Sequence, residues 1–173
     1  MAGKIGRFLR HLWFDETHAR RAVSPAMAER LKARVAASEQ RHSGQIRICV
    51  EAGLPLHLLW RGQATGALTH TRALAVFGEL RVWDTDDNNG VLIYLLLAER
   101  VVEIVADRGL TRHVAPRFWH ELIQRMGGAL REGRFEDGLT QAIEEVSALL
   151  VRYFPRTPGQ RQPNELPDLP VLR

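Results

Sequence analysis

The sequence lacks the features that mark secreted and membrane-spanning proteins. Its 173 residues include a single cysteine, Cys49, which excludes an internal disulfide framework and is compatible with a reducing compartment. No apolar run approaches the roughly 20 residues that a membrane-spanning helix needs. The N-terminus has no apolar stretch followed by a small-residue cleavage site, so no secretory signal is predicted. With 45% hydrophobic and 25% charged residues, we expect one globular domain in the cytoplasm.

The body of the chain also lacks an excess of positive charge. The formal net charge is +4, but residues 22–154 contain sixteen basic and sixteen acidic side chains. Residues 1–21 contain five Lys or Arg residues against two acidic ones. A body without net charge lacks the basic surface that binding to a phosphate backbone requires. We therefore predict no nucleic-acid partner.

Most of the net positive charge lies in a basic amphipathic segment at the N-terminus, residues 1–21. Between positions 3 and 13, apolar residues recur at helical spacing among basic ones. A helix this short needs a partner to stay folded in water. That partner is either the surface of the domain itself or an anionic membrane or membrane-associated protein. In the second case the predicted contact residues are Lys4, Arg7, Phe8, Arg10 and Leu12.

The order of the predicted elements indicates an α/β fold over residues 22–154. The alternation of residues 45–51 predicts a strand with one buried face. The run at 90–97 is apolar on both faces, which predicts a strand covered on both sides and more buried than 45–51. A short polar turn joins it to an antiparallel strand at 101–106. Helices are predicted from the Ser24-Pro25 start signal to about residue 42, near 56–60, and at 69–81, 116–131 and 135–154, followed by an extended or disordered proline-rich tail at 155–173.

An acidic, asparagine-rich loop, residues 83–89, precedes the buried strand. Asp84, Asp86 and Asn88 occupy alternate positions, as the first ligands of a calcium loop do. An EF-hand is excluded, because Gly and Glu are absent from its required sixth and twelfth positions.

Two interpretations of this loop remain open. It forms a cation site if Asp107, or else Glu51, approaches the same end of the sheet. Otherwise it is a solvated turn whose side chains cap local backbone groups. The candidate calcium ligands are Asp84, Asp86, Asp87, Asn88 and Asp107.

A candidate anion site follows the second strand of the hairpin. Arg108 and His113 stand just before the helix that begins at Pro116, and a helix N-terminus with nearby cations attracts anions. The alternative is that Arg108 belongs to a turn and His113 is merely exposed. Cys49 lies within a predicted strand and has no signal of activation, so we interpret it as structural.

Three segments together resemble the TPM domain family. They are Ser43-Gly44-Gln45-Ile46-Arg47-Ile48, Asn89-Gly90-Val91-Leu92-Ile93-Tyr94, and the run from Val102 to Leu110. The resemblance covers roughly residues 22–152 and is strongest to bacterial members without a signal peptide, which often accompany LemA-type membrane proteins. It implies a three-layer α/β/α sandwich around a small, mostly four-stranded mixed sheet. Some members bind calcium, and acid phosphatase activity has been proposed for plant relatives.

The chain departs from the family pattern at two places. It has Ala106-Asp107-Arg108-Gly109-Leu110 where many relatives have Gly-Tyr-Gly-Leu-Glu, and Gln45 where relatives have Glu. Both departures argue against a phosphatase site carried over from the family.

The sequence therefore leads to two alternative hypotheses for the function. The first is a non-catalytic interaction module at the cytoplasmic face of the inner membrane, with a protein partner such as a LemA-type protein. The second is a cation-dependent, phosphatase-like hydrolase that uses the acidic loop. Convergence of the loop carboxylates and Asp107 on one cleft would favour the hydrolase.

Overall fold

The computed structural model describes residues 2–60, 64–157, 159 and 163–173. Across these residues the chain forms eight helices and four strands. The helices are α1 (Ala2–Trp13), α2 (Glu16–Ala22), α3 (Pro25–Glu39), α4 (Leu56–Leu59), α5 (Thr65–Glu79), α6 (Arg108–Thr111), α7 (Pro116–Arg131) and α8 (Phe135–Tyr153). The strands are β1 (Gln45–Glu51), β2 (Gly90–Leu96), β3 (Val101–Ala106) and β4 (Val171–Leu172).

The strands form one mixed sheet in the order β3-β2-β1-β4. β1 and β2 run parallel, with Ile46 opposite Val91. β2 and β3 form the predicted antiparallel hairpin, with Leu92 opposite Val105. β4 pairs in parallel with the far side of β1. The predicted α/β fold around a four-stranded mixed sheet is confirmed.

Helices cover both faces of the sheet, and each face has its own apolar core. On one face, Ile48 and Ile93 pack with residues of α3, α7 and α8. On the other face, Leu92 and Tyr94 pack with residues of α5. Successive side chains of a strand point to opposite faces, so an interior strand between two cores needs an unbroken apolar run. β2 is such a strand, as predicted.

β1 is as buried as β2, and the prediction of a half-buried strand was wrong. All seven of its residues are buried. The polar members of its alternating pattern are buried because they have partners within the protein. Arg47 donates to the carbonyl oxygens of Pro167 and Leu169, the latter at 2.8 Å. Buried polar groups are tolerated when they are hydrogen-bonded, so a polar residue in the pattern did not mark a solvent-exposed face.

Residues 163–173 return to the sheet and pair with it. The prediction of an extended or disordered tail did not include this contact. Gln45 Oε1 accepts hydrogen bonds from the backbone N–H groups of Glu165 and Leu166, at 3.0 and 3.1 Å. β4 follows, and the N–H of Arg173 donates to the Val50 carbonyl at 3.0 Å. We call residues 163–173 the C-terminal strap. It closes the β1 edge of the sheet.

The helix boundaries follow local signals in most places. The Ser24 hydroxyl accepts from the Met27 N–H at 3.2 Å and caps α3, as its sequence indicated. α5 begins earlier than the predicted start at residue 69, and α6 was not predicted. Gly133 joins α7 to α8 with φ of 78°, a left-handed conformation that glycine adopts without strain.

Candidate functional site

The acidic loop lies at the end of the sheet where β1 and β2 begin. Within it, Asn89 is buried, and its backbone N–H donates to Thr85 Oγ1 at 3.1 Å. The Asn89 side-chain amide donates to Ser43 Oγ at 3.1 Å, which ties the loop to the start of β1. Asn88 has φ of 52°, in the left-handed region that asparagine tolerates. Side chains thus fix this loop as a turn.

Two of the predicted calcium ligands lie on the outer part of the loop. The Asp84 side chain is 58% exposed and lies 4.0 Å from the guanidinium of Arg81. The backbone N–H of Asp86 donates to Glu165 Oε2 at 3.0 Å, so the C-terminal strap reaches the loop. Burial raises the pKa of Glu165, and the charges of the neighbouring loop carboxylates raise it further.

The other two loop ligands have partners inside the protein. Asp87 Oδ2 accepts from the Ser43 hydroxyl at 3.2 Å. Asn88 Oδ1 accepts from Arg108 Nε at 2.8 Å. The Arg108 guanidinium therefore lies beside the loop, and a bound cation would have to compete with it for Asn88 Oδ1.

Asp107 reaches the same end of the sheet as the acidic loop, which is one of the two conditions given above for a cation site. Its backbone N–H donates to the Gly90 carbonyl at 2.9 Å. Its Oδ1 accepts from the Arg108 N–H at 2.6 Å and caps α6. Its Oδ2 is buried and has no hydrogen-bond partner in the described part of the chain. Glu51 lies opposite Leu96, at the other end of the strands, so the alternative that it joins the loop was wrong.

The arrangement does not gather a recognisable metal cluster. Within the described ranges, no group of three or more His, Cys, Asp or Glu residues is placed to hold a metal ion. The loop end offers the unpartnered oxygen of Asp107, while Asp87 and Asn88 already accept from protein donors. The calcium site at Asp84, Asp86, Asp87, Asn88 and Asp107 stays a prediction.

The two residues of the candidate anion site have separate partners. The Arg108 side chain binds Asn88, and the His113 ring stacks on Tyr153 with 4.9 Å between centroids. α6, which Arg108 opens, is only four residues long. The anion site also stays a prediction.

A cleft that the sequence did not indicate lies between the C-terminal end of α3 and the C-terminal strap. Its volume is about 200 Å³. Glu39 Oε1 accepts there from the Ile46 N–H at 2.9 Å. Burial raises the pKa of Glu39 to about 8, so its carboxyl group is largely protonated at neutral pH. Burial also lowers the pKa of His42 to about 4 and keeps that ring neutral. The available signal was a carboxylate in the last turn of a helix, where the helix dipole disfavours it.

A buried ionic network on the α5 face was also missed. Glu51 accepts from Arg72 through both oxygens, at 2.8 and 2.9 Å, and from the Tyr94 hydroxyl at 2.5 Å. Arg72 also donates to Glu79 at 2.8 Å, and Arg173 of the C-terminal strap binds the same carboxylate. Hydrogen bonding to Glu51 raises the pKa of Arg72. Burial, with the Glu51 charge beside it, raises that of Tyr94. Every one of these groups has a protein partner, which indicates a structural role.

One face of α1 is bound to the domain through a histidine. The His11 side chain is fully buried. Its Nδ1 accepts from the Leu54 N–H at 3.0 Å, and its Nε2 lies 2.8 Å from Glu99 Oε1. Gly53 allows this close approach, because a Cβ there would lie 2.8 Å from the His11 carbonyl oxygen. α1 therefore has a fixed position.

The other face of α1 is apolar and exposed. Leu9, Leu12 and Trp13 are 51%, 49% and 77% exposed. α4 packs against α1, and Trp60 directly after it is 79% exposed. The Arg10 side chain is about half exposed and lies 3.7 Å from Glu99. The side chains of the other predicted contact residues, Lys4, Arg7 and Phe8, lie outside the described part of the structure. In the described residues, no helix combines the length and apolarity needed to cross a membrane.

Comparison with known proteins identifies the family. The family model for the TPM domain matches residues 18–149 of the sequence. This is most of the chain and spans α3 through nearly all of α8. The chain belongs to the TPM domain family. No curated protein matches this TPM domain.

Two solved structures show how the TPM domain relates to known folds. It is similar to the BA42 protein of the psychrophilic bacterium Bizionia argentinensis, with 25% identity and a TM-score of 0.71 over 86% of this chain and 94% of that one. It also has the fold of the N-terminal domain of a protein from P. gingivalis, with 20% identity and a TM-score of 0.58 over 78% and 82% of the two chains. The resemblance drawn from the strand segments is therefore confirmed at the level of the family.

Proposed function

We propose that this TPM domain is a non-catalytic interaction module that works at the cytoplasmic face of the inner membrane with a protein partner. The observation that supports this proposal most directly is the exposed apolar face of α1, formed by Leu9, Leu12 and Trp13. A short amphipathic helix with basic residues beside such a face is suited to lie in the headgroup region of an anionic bilayer.

The anchoring of α1 explains why these side chains remain exposed. His11 is held by Leu54 and Glu99, so the helix cannot rotate to bury the apolar face against the domain. Contiguous apolar surface on a protein marks a contact site for a protein or a membrane. The membrane interpretation is favoured by tryptophan, which is enriched at bilayer interfaces. Each basic side chain near an anionic surface adds about 1 kcal/mol of attraction.

A vesicle-binding experiment tests this surface. The intact chain is sedimented with phosphatidylcholine vesicles that contain phosphatidylglycerol, and with vesicles that lack it. The combined variant Leu9→Ser, Leu12→Ser, Trp13→Ser is expected to bind at least about tenfold more weakly, because three apolar side chains no longer enter the bilayer. Binding of the wild type should fall as salt rises, since the Debye length shrinks from about 10 Å at 0.1 M to about 3 Å at 1 M.

The matched control removes apolar surface elsewhere. Trp83→Ser, Val151→Ser, Leu169→Ser changes three exposed apolar residues outside α1 and should bind like the wild type. Equal loss of binding in the two combined variants, or no binding by the wild type, would contradict the proposal. Co-purification from native membranes then tests a LemA-type protein as the partner that the resemblance implies.

The alternative of a cation-dependent, phosphatase-like hydrolase has less support. Asp87 and Asn88 are occupied by Ser43 and Arg108, and the described residues hold no metal cluster. The interaction module is therefore the function that we propose.

A further inference from the structure

The two edges of the sheet differ in whether their backbone hydrogen-bonding groups are covered. At one edge, β4 pairs with β1 and covers its backbone groups. At the other edge, β3 has β2 on one side and no strand on the other among the described residues. An uncovered edge presents backbone donors and acceptors to any chain that can pair with it, and proteins usually protect such edges.

The hydrogen-bond ladder shows which backbone groups of β3 point outward. The Asp107 N–H donates to Gly90, one position beyond the last residue of β3. Because bonded and non-bonded pairs alternate in an antiparallel ladder, Val102, Ile104 and Ala106 direct their N–H and C=O groups away from β2. None of these backbone groups has a hydrogen-bond partner elsewhere in the described chain.

A groove of about 390 Å³ lies over this edge, between α5 and α7. On the α5 side it is lined by Leu74, which is 48% exposed. On the α7 side it is lined by Trp119 and Ile123. A strand added to β3 would direct alternate side chains to these two walls, because successive residues of a strand point to opposite faces.

The groove has one acidic group. Glu103 is the only carboxylate among its described lining residues, which include no Lys or Arg. Its side chain is 16% exposed, and His70 Nδ1 lies 3.3 Å from it. Burial raises the pKa of Glu103, whereas His70 and His120 lower it. A cationic side chain brought by a partner would stabilise the carboxylate that burial disfavours.

We propose that the β3 edge is a peptide-binding site that takes an extended segment of a partner protein as an additional strand, with apolar side chains against Trp119 and Ile123 and a Lys or Arg opposite Glu103. This site is separate from the α1 surface and would hold the protein partner rather than the membrane. Main-chain hydrogen bonds supply affinity in this mode of recognition, and the alternate side chains supply specificity.

A second copy of this chain fits the edge less well. Two-fold pairing of β3 with itself centred on Glu103 would set this carboxylate opposite its own copy. Pairing centred on Ile104 would set Glu103 opposite Val105. Neither register provides a cation, and like charges directly opposite each other destabilise a strand pair.

The test uses the full chain and three synthetic peptides. The first alternates Val with Thr and Lys (Thr-Val-Lys-Val-Thr-Val-Lys-Val). The second has Glu in place of both Lys residues, and the third keeps the side chains of the first but has alternate backbone nitrogens methylated. Affinity is measured by fluorescence anisotropy, and the site is located from NMR shifts of the amides of Val102, Ile104 and Ala106. The Lys peptide should bind at least about tenfold more tightly than either of the others.

Variants separate the charge from the backbone. Glu103→Lys should reverse the preference between the Lys and Glu peptides. Ala106→Pro removes an outward N–H and should weaken binding of the Lys peptide, whereas Ala106→Ser keeps this group and should not. Leu74→Lys adds a cation to the α5 wall, which the Lys residues of the peptide would face, so its expected loss of affinity for the Lys peptide does not depend on a well-tolerated proline.

Several results would overturn this proposal. They are the absence of Lys-peptide binding, equal affinity for all three peptides, shifts located away from β3, and a concentration-dependent dimer that pairs through β3. The α1 variants of the vesicle experiment should bind the Lys peptide normally, so the two proposals can fail independently.

Discussion

The Tyr94 hydroxyl donates a hydrogen bond of 2.5 Å to Glu51 Oε2 and so links the side chains of two neighbouring parallel strands. Arg72 from α5 completes the surroundings of this carboxylate. The sheet and the α5 layer are therefore joined by a buried charge as well as by apolar contacts. A buried ion pair adds little stability compared with apolar residues, but removal of one partner is costly.

The first prediction compares the two carboxylates that bind Arg72. Glu51 is 7% exposed and Glu79 is 44% exposed. Glu51→Gln should lower the free energy of unfolding by about 3 kcal/mol, because Arg72 loses its buried carboxylate partner and keeps only the more exposed Glu79. Glu79→Gln should lower it by less than about 1 kcal/mol, as is usual for an exposed pair. Urea unfolding measures both, and equal effects would show that burial of the network does not matter.

The second prediction concerns the pH dependence of stability. Burial raises the pKa of Glu39 to about 8 from its ordinary value of 4.5, so the folded state binds the proton more tightly than the unfolded state. The resulting stabilisation is fully present below the unfolded pKa and is lost as the pH rises through the folded pKa. The slope is at most about 1.4 kcal/mol per pH unit. His42 acts in the opposite sense, since its pKa falls to about 4 and its stabilisation is lost on acidification.

Glu39→Gln isolates the first of these groups. The amide keeps an oxygen that can accept from Ile46, but it does not titrate. Relative to the wild type, this variant should gain stability steadily between pH 5 and pH 8, measured as the urea midpoint at each pH. Glu16→Gln, at an exposed position on α2, is the control and should follow the wild type. A parallel pH profile for Glu39→Gln would contradict the assignment.

The third prediction tests the calcium site of the acidic loop. Bound Ca²⁺ would stabilise the folded state by mass action and so raise the melting temperature. At a Ca²⁺ concentration one hundred times the dissociation constant, the stabilisation is about 2.7 kcal/mol. Asp107→Asn should abolish this increment, because the buried Oδ2 without a hydrogen-bond partner is lost as a charged ligand. Glu136→Gln, which lies on α8, is a control for general charge effects. No calcium-dependent shift in the wild type would assign the loop to backbone capping alone.

The fourth prediction concerns the C-terminal strap. Removal of residues 163–173 would take away the hydrogen-bond partners of Gln45 and Arg47, so the free energy of unfolding should fall by about 0.5–1.5 kcal/mol for each bond lost. It would also uncover the β1 edge, which should promote association. Removal of 171–173 alone takes away β4 but keeps the partners of Gln45 and Arg47, so it should cost less. Urea unfolding and size-exclusion chromatography measure both effects, and an unaltered stability in the longer deletion would show that the strap is dispensable.

The sequence by itself determined the parts of the fold that depend on local pattern. The unbroken apolar run of β2 identified a strand between two helical layers, and the Ser24-Pro25 pair identified the start of α3. The short polar turn after β2 identified the hairpin with β3. Residues close in the chain carry this information, because periodicity and capping act within a few positions.

Only the tertiary structure decided which polar residues are buried and what they bind. Gln45 finds its partners 120 and 121 positions away in the C-terminal strap, and Glu51 binds Arg72 and Tyr94 from two other elements. β1 therefore looked half-exposed in the sequence although it is an interior strand. His11, which holds α1 in place, was likewise absent from the predicted contact residues. A buried polar group is stable only with a partner, and which distant segment provides that partner is set by the packed chain rather than by its local pattern.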